Sequence, residues 1–207
     1  VTIAAPSDDV YKDAGKLTVK MTDASGGNFE KLDVSKTSVS TTVKDTVDTT
    51  SLSLSASHTV SEGGQITYTA SLSNPTDTAM TVKLSNGAVI NIAAGATTGS
   101  VNFAAPANTP YIDGGKVQAT IASHNGGNFE KVVTSSSPAV TTVTDSTDTT
   151  GLSLSATGSV AEGGSIVYTA TLTNAAGTAM TVTLSNGAVI NIAKGATSGS
   201  VNFAAPK

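Results

Sequence analysis

Cysteine, tryptophan and arginine are absent from this chain of 207 residues, and aromatic residues make up only 4% of it. Without cysteine no disulfide framework can hold the fold, and thiol usage leaves the compartment open. Without arginine, and with four tyrosines and four phenylalanines, a nucleic-acid surface has almost nothing from which to build phosphate forks and stacking platforms. The formal net charge of −4 is too small to imply a charge-driven partner. No run of about 18 apolar residues occurs, so no segment reads as a membrane-spanning helix. No basic-then-apolar signal segment opens the chain.

What the chain has instead is Thr, Ser, Ala, Gly and Val, arranged in a repeat. Shifted by 100 residues it falls onto itself: Ser51 to Ala107 matches Gly151 to Lys207 at about 40 of 57 positions without a gap, and Val1 to Thr50 matches Val101 to Thr150 at about 22 of 50. A fixed long period means that each unit is a folded module. Arrays of near-copies suit a spacer, a stalk or a multivalent binder better than a catalyst.

Within Ser51 to Thr150 apolar and small polar residues alternate with period two. Leu52 and Leu54 form one such set, followed by Ile66, Tyr68, Ala70 and Leu72, by Met80, Val82 and Leu84, and by Ile90 and Ile92. Val101 and Phe103 come next, then Val117, Ala119 and Ile121. These are strands with one buried face. Helical spacing is never sustained over three turns. Glu62-Gly63-Gly64, Asn86-Gly87, Gly95 to Gly99 and Asn125-Gly126-Gly127 punctuate the runs with the residues that tight turns need. The expected fold is all-β: tandem immunoglobulin-like antiparallel β-sandwiches of about 100 residues each.

Following the strands up and down places Glu62, Asp113, Asp145 and Asp148 at one end of the sandwich. Carboxylates gathered in this way repel at a cost of about 1 kcal/mol per pair at about 4 Å even in water. A cation is therefore expected, and calcium, which takes six to eight oxygens with tolerant geometry, suits the place. Read without a cation, the same acids are solvated turn residues, with Asp145 and Asp148 ending a strand. The repeat supplies equivalent candidates at Asp13, Asp45 and Asp48, and at Glu162.

At Val60-Ser61-Glu62-Gly63-Gly64, Ile66 to Ala70 and Val143 to Thr150, together with Leu84 to Pro106 and Gly126 to Glu130, the sequence resembles the tandem extender repeats of LapA-like large bacterial biofilm adhesins of the RTX type. More distantly, VSEGG followed by an alternating strand and a closing VTD resembles Calx-β modules. That second resemblance implies calcium held by Glu62 with Asp145. Glu162 and Asp45 take the same roles with partners outside this stretch. The first implies a secreted, extracellular protein at the bacterial cell surface, exported by type I secretion and folded where calcium is plentiful. In it, such repeats hold an adhesion domain away from the cell and support biofilm formation.

The remaining readings concern partners and phase. Tyr11 and Tyr111 occupy the same repeat position beside Asp13 and Asp113, where they either anchor a loop or stack on a glycan. An enzyme is not expected: His58 and His124 face Gly158 and Ala24 at the sister positions, and no nucleophile with a base beside it can be assembled. Residues 51–150 read as one complete module, 1–50 as the rear half of another and 151–207 as a front half. Phasing near Pro6, Pro106 and Pro206 is the alternative. In the first phase, the rear half of one copy can complete the front half of another, head to tail, into a filament.

Overall fold

The computed structural model describes residues 1–33, 35 and 38–206, and among these every regular element is a strand. Residues 1–48 carry β1 (Gly15–Lys20) and β2 (Ser38–Val43). Residues 49–144 carry β3 (Thr49–Ala56), β4 (Thr59–Ser61), β5 (Gln65–Leu72), β6 (Met80–Leu84) and β7 (Val89–Ile92). They continue with β8 (Thr98–Ala104), β9 (Gly115–Ala119), β10 (Ile121–Gly126), β11 (Lys131–Thr134) and β12 (Ala139–Thr144). Residues 151–204 carry β13 (Leu152–Ala156), β14 (Ser165–Leu172), β15 (Met180–Thr183), β16 (Val189–Ile192) and β17 (Ser198–Ala204).

Residues 49–144 build three sheets, in the orders β11-β3-β5-β8, β10-β6-β7 and β4-β12-β9. Alternation decides which side chains turn inward. Leu52, Ile66, Tyr68, Ala70 and Leu72 are buried from the first sheet, Met80, Val82, Leu84, Ile90 and Ile92 from the second, and Ala119, Ala139 and Val143 from the third. Full burial of a Leu, Ile or Val side chain stabilises by about 1.5–3 kcal/mol, so this core carries the module. The Tyr68 and Phe103 rings meet edge to face at 6.2 Å.

Two features depart from a simple antiparallel meander. Strand β11 lies parallel to β3, pairing Lys131 with Thr49 and Thr134 with Leu52. It reaches that edge from β10, which belongs to another sheet, and a crossover of this kind permits the parallel direction that a hairpin forbids. The run through Val117, Ala119 and Ile121 is also not one strand. It breaks at Thr120, where the chain passes from the β9 sheet to the β10 sheet. The Ser85 N–H donates to the Thr120 carbonyl at 2.9 Å and the Thr120 N–H to the Ser85 hydroxyl at 3.0 Å, which holds the bend.

The flanking segments repeat parts of this plan. Strands β13, β14 and β17 form one sheet, and β15 and β16 a second, with registers matching β3, β5 and β8 and β6 and β7 at a shift of 100. Ala170, Leu172, Ala176, Ile190 and Ile192 are buried between them. Strands β1 and β2 pair antiparallel from Gly15 with Val43 to Lys20 with Ser38, and no described residue from 1 to 48 is buried.

The chain divides into two compact units. One comprises Val1–Val60, Gln65–Ala104 and Lys116–Thr142, the other Ser61–Gly64, Ala105–Gly115 and Val143–Lys207. The turn of Glu62, the loop of Asp113 and the chain after β12 thus belong to the same unit.

Candidate functional site

Three of the acids come together. Glu62, Asp113 and Asp145 each offer a carboxylate oxygen, and these oxygens lie within 4.8 Å of one another. The backbone explains why. The Glu62 N–H donates to the Thr144 carbonyl at 3.0 Å and the Gly63 N–H to the Pro106 carbonyl at 2.7 Å, so the turn is tied to the segments that lead to both aspartates. Gly63 takes φ of 68°, a conformation costly for any residue with a Cβ. At Gly114 the need is space: a Cβ there would stand 2.9 Å from the Asp145 nitrogen.

The electrostatics are those of an uncompensated cluster. Glu62 is only 8% exposed, and its Oε2 is buried without a hydrogen-bond partner among the described residues. The Asp113 carboxylate beside it, then the loss of hydration, then Asp145, hold the Glu62 carboxyl above its ordinary 4.5. Asp113 and Asp145 are exposed, so the cluster opens to solvent on their side. A buried, unpaired carboxylate oxygen facing two further carboxylates is a donor set for a hard cation such as calcium.

Asp148, which the strand path places at the same end, is exposed and stands outside this group. Asp13 and Asp45, the sister residues of Asp113 and Asp145, also approach each other. Loss of hydration first, then Asp45 and Asp9, raise the Asp13 carboxyl above its ordinary 3.8. Asp48 is half-buried and its N–H donates to a Glu130 carboxylate oxygen at 2.5 Å; Glu162 is exposed.

Sequence reasoning placed Asp113 at this end but missed Thr109, which orients it. The Thr109 hydroxyl donates to Asp113 Oδ2 at 3.0 Å and accepts the Tyr111 N–H at 3.2 Å. A signal existed in the repeat: position 9 is Asp, and Asp9 Oδ1 accepts the Tyr11 N–H at 2.7 Å in the same manner. The neighbouring position behaves likewise, since Asn108 Oδ1 accepts from Ser146 and Asp8 Oδ1 accepts from Thr46. An oxygen acceptor is retained at both positions while the residue changes.

The two tyrosines anchor loops. The Tyr11 hydroxyl donates to the Pro75 carbonyl at 2.6 Å and its ring stacks on Phe129 with centroids 5.7 Å apart. Backbone bonds from Lys12 to Asn128 and from Glu130 to Val10, each 3.0 Å, close that junction. The Tyr111 hydroxyl donates to the Ala175 carbonyl at 2.9 Å, and its ring lies against Gly177, where a Cβ would approach it to 2.9 Å. In both cases a loop of one repeat is fastened to the next.

No helix among the described residues is long and apolar enough to cross a membrane, which leaves β-barrels unaddressed. Comparison with curated proteins found no match. The LapA domain family matches the chain three times in succession, at residues 1–46, 48–146 and 148–207. The all-β modules and their repeat thus have a shared ancestry with adhesin domains of the cell surface, and the chain belongs to the LapA domain family.

Proposed function

We propose that these modules are extender repeats of a giant secreted adhesin, holding an adhesion domain away from the cell and supporting biofilm formation, and that calcium stiffens the repeat ends. The observation that carries the reading is the Glu62, Asp113 and Asp145 triad, placed immediately before the linker into residues 151–204. Those three residues would hold the ion. Calcium would supply the positive charge that three converging carboxylates call for, with backbone carbonyls and water available to fill its shell.

Stiffness would follow from position. Asp145 begins the polar segment that leaves β12, and fixing its side chain to Glu62 and Asp113 restricts that segment where it starts. Tyr111, two residues before Asp113, is already fastened to Ala175, so the loop that supplies a ligand also holds the following repeat. The chain's abundance of Ser and Thr suits a spacer.

Calorimetric melting of the chain in calcium and then in chelator, with solution scattering under both conditions, tests this. The expected result is a large fall in transition temperature and a shorter or broader distance distribution on chelation. Identical melting and scattering in the two conditions would remove the calcium reading. The extender role itself is tested in the parent adhesin: deletion of repeats should reduce the reach of the adhesion domain and biofilm mass while leaving target binding intact.

A further inference from the structure

The loop of residues 105–115 joins the three acids to the following repeat. Its start is tied to the Glu62 turn, where the Ala105 N–H donates to the Gly64 carbonyl at 3.0 Å and the Gly63 N–H to the Pro106 carbonyl at 2.7 Å. Asn108 Oδ1 accepts the hydroxyl of Ser146, the residue after Asp145. Thr109 then holds two neighbours through one oxygen: it donates to Asp113 Oδ2 at 3.0 Å and accepts the Tyr111 N–H at 3.2 Å. A carboxylate has about four lone-pair sites, so this bond orients Asp113 and leaves it capacity for a cation. Pro110 fixes its own φ and disfavours helical backbone at Thr109, so little slack separates the aspartate from the tyrosine.

The receiving side is bonded as well. Tyr111 donates its hydroxyl to the Ala175 carbonyl at 2.9 Å, and both neighbours of Ala175 are held: Asn174 donates to the Thr150 hydroxyl at 3.2 Å, and the Ala176 N–H to the Ala196 carbonyl at 2.9 Å. Followed in order, these contacts close a ring. It runs from Asp145 along the linker to Thr150, across to Asn174 and Ala175, through Tyr111 to Asp113, and back to Asp145. One corner works against the rest. Where Glu62, Asp113 and Asp145 meet, like charges push the loop and the linker apart unless a cation stands between them. The tyrosine latch is a property of the repeat, since Tyr11 donates to the Pro75 carbonyl at 2.6 Å in the same way.

We infer that calcium binding at Glu62, Asp113 and Asp145 is thermodynamically coupled to the Tyr111 latch on Ala175, with Thr109 as the residue that positions both. This inference rests on the calcium reading above and adds the regulation of that site: attachment of the following repeat sets calcium affinity, and calcium sets how firmly that repeat is attached. A cation that draws Asp113 toward Asp145 orders the loop, so less freedom remains to be lost when Tyr111 docks. A docked Tyr111 holds Asp113 in place before the ion arrives, which removes part of the ordering cost from binding. Linkage makes the two effects equal, and couplings of this kind are typically about 5–150-fold. A repeat pulled from its neighbour therefore releases calcium more readily.

Calcium titration calorimetry on the whole chain, assigned to this site by the Gly63 amide resonance, tests the coupling together with hydrogen exchange at the Ala176 amide. In wild type, calcium should slow exchange at Ala176 by about fivefold or more. Tyr111→Ala removes the latch from one side. Gly177→Val removes it from the other, since a Cβ there already stands 2.9 Å from the Tyr111 ring, and it alters nothing at the acids. Each variant should weaken calcium binding by about fivefold or more and abolish the effect of calcium on Ala176. Thr109→Val should do the same, while Thr109→Ser, which keeps the hydroxyl, should bind as wild type does. Slow exchange within β14 and β17 shows that residues 151–204 remain folded, and Gly177→Val serves where Tyr111→Ala loses it. Unchanged calcium affinity in both latch variants would overturn the coupling alone, as would calcium that binds and leaves Ala176 exchange unaltered. A Ser variant as weak as the Val one would remove Thr109 from it. A wild-type chain that takes up no calcium would overturn the calcium reading and this inference with it.

Discussion

The Tyr111 hydroxyl donates to the carbonyl oxygen of Ala175 at 2.9 Å, carrying a loop of one repeat onto the next. Tyr11 and Pro75 make the same bond 100 residues earlier. Tyr111→Phe keeps the ring and removes the bond, so denaturant unfolding of residues 151–204 should show a loss of about 1 kcal/mol. Tyr111→Ala removes the packing on Gly177 as well and should cost more. If Tyr111→Phe were silent while Tyr111→Ala was not, the ring alone would hold the junction.

Glu62→Gln separates the two states of the acid cluster. In chelator the substitution removes a charge that Asp113 and Asp145 oppose, so the variant should melt above wild type. In calcium it removes a ligand charge, and affinity should fall about tenfold or more, because ligand charge count tunes calcium affinity over decades. The order of the two melting temperatures should therefore reverse between the two buffers. A variant that melts on the same side of wild type in both would show that no cation uses this carboxylate.

The pH dependence has a definite sign. Glu62 is held above its ordinary 4.5 by Asp113, by burial and by Asp145, so between 4.5 and the raised value the folded chain binds more protons than the unfolded one. Stability then falls as pH rises through that window and is recovered as pH drops through it. Asp13 contributes in the same direction from its ordinary 3.8. In chelator, melting temperature should rise on acidification from neutral toward 4.5, and Glu62→Gln should flatten that rise. In calcium the shift caused by the ion should shrink over the same range, since binding must displace the proton.

Much of this was legible in the residues, and the failures have physical causes. Period-two alternation marked β5, β6 and β7 because their inward residues are apolar and their outward ones, Val89 apart, are polar. It missed β4, whose three residues, Thr59 to Ser61, are too few to show a period and are a strand because β12 lies beside them. It ran β9 and β10 together because the break at Thr120 is made by Ser85, some 35 residues away in sequence. At the site, Glu62 and Asp145 stood out by charge. Thr109 did not, because a hydroxyl that orients a carboxylate looks like any other Thr in a chain rich in it. Asp148 stood out equally, yet the chain past Asp145 carries it away from the cluster.

Burial was the property least visible in the letters, and a single comparison measures it. Leu52 and Leu152 occupy the same repeat position, in strands of matching register, opposite Leu72 and Leu172. Leu52→Ala opens a cavity in a filled core and should cost about 2–5 kcal/mol. Leu152→Ala removes a side chain that is half in water already, so in dilute solution it should cost well under half as much, about 1 kcal/mol. The difference arises from what lies beside each residue: β3 has β11 along its edge, whereas β13 is an edge strand among the described residues. Urea unfolding of both variants reads this directly, and equal costs would mean that Leu152 is covered as well as Leu52.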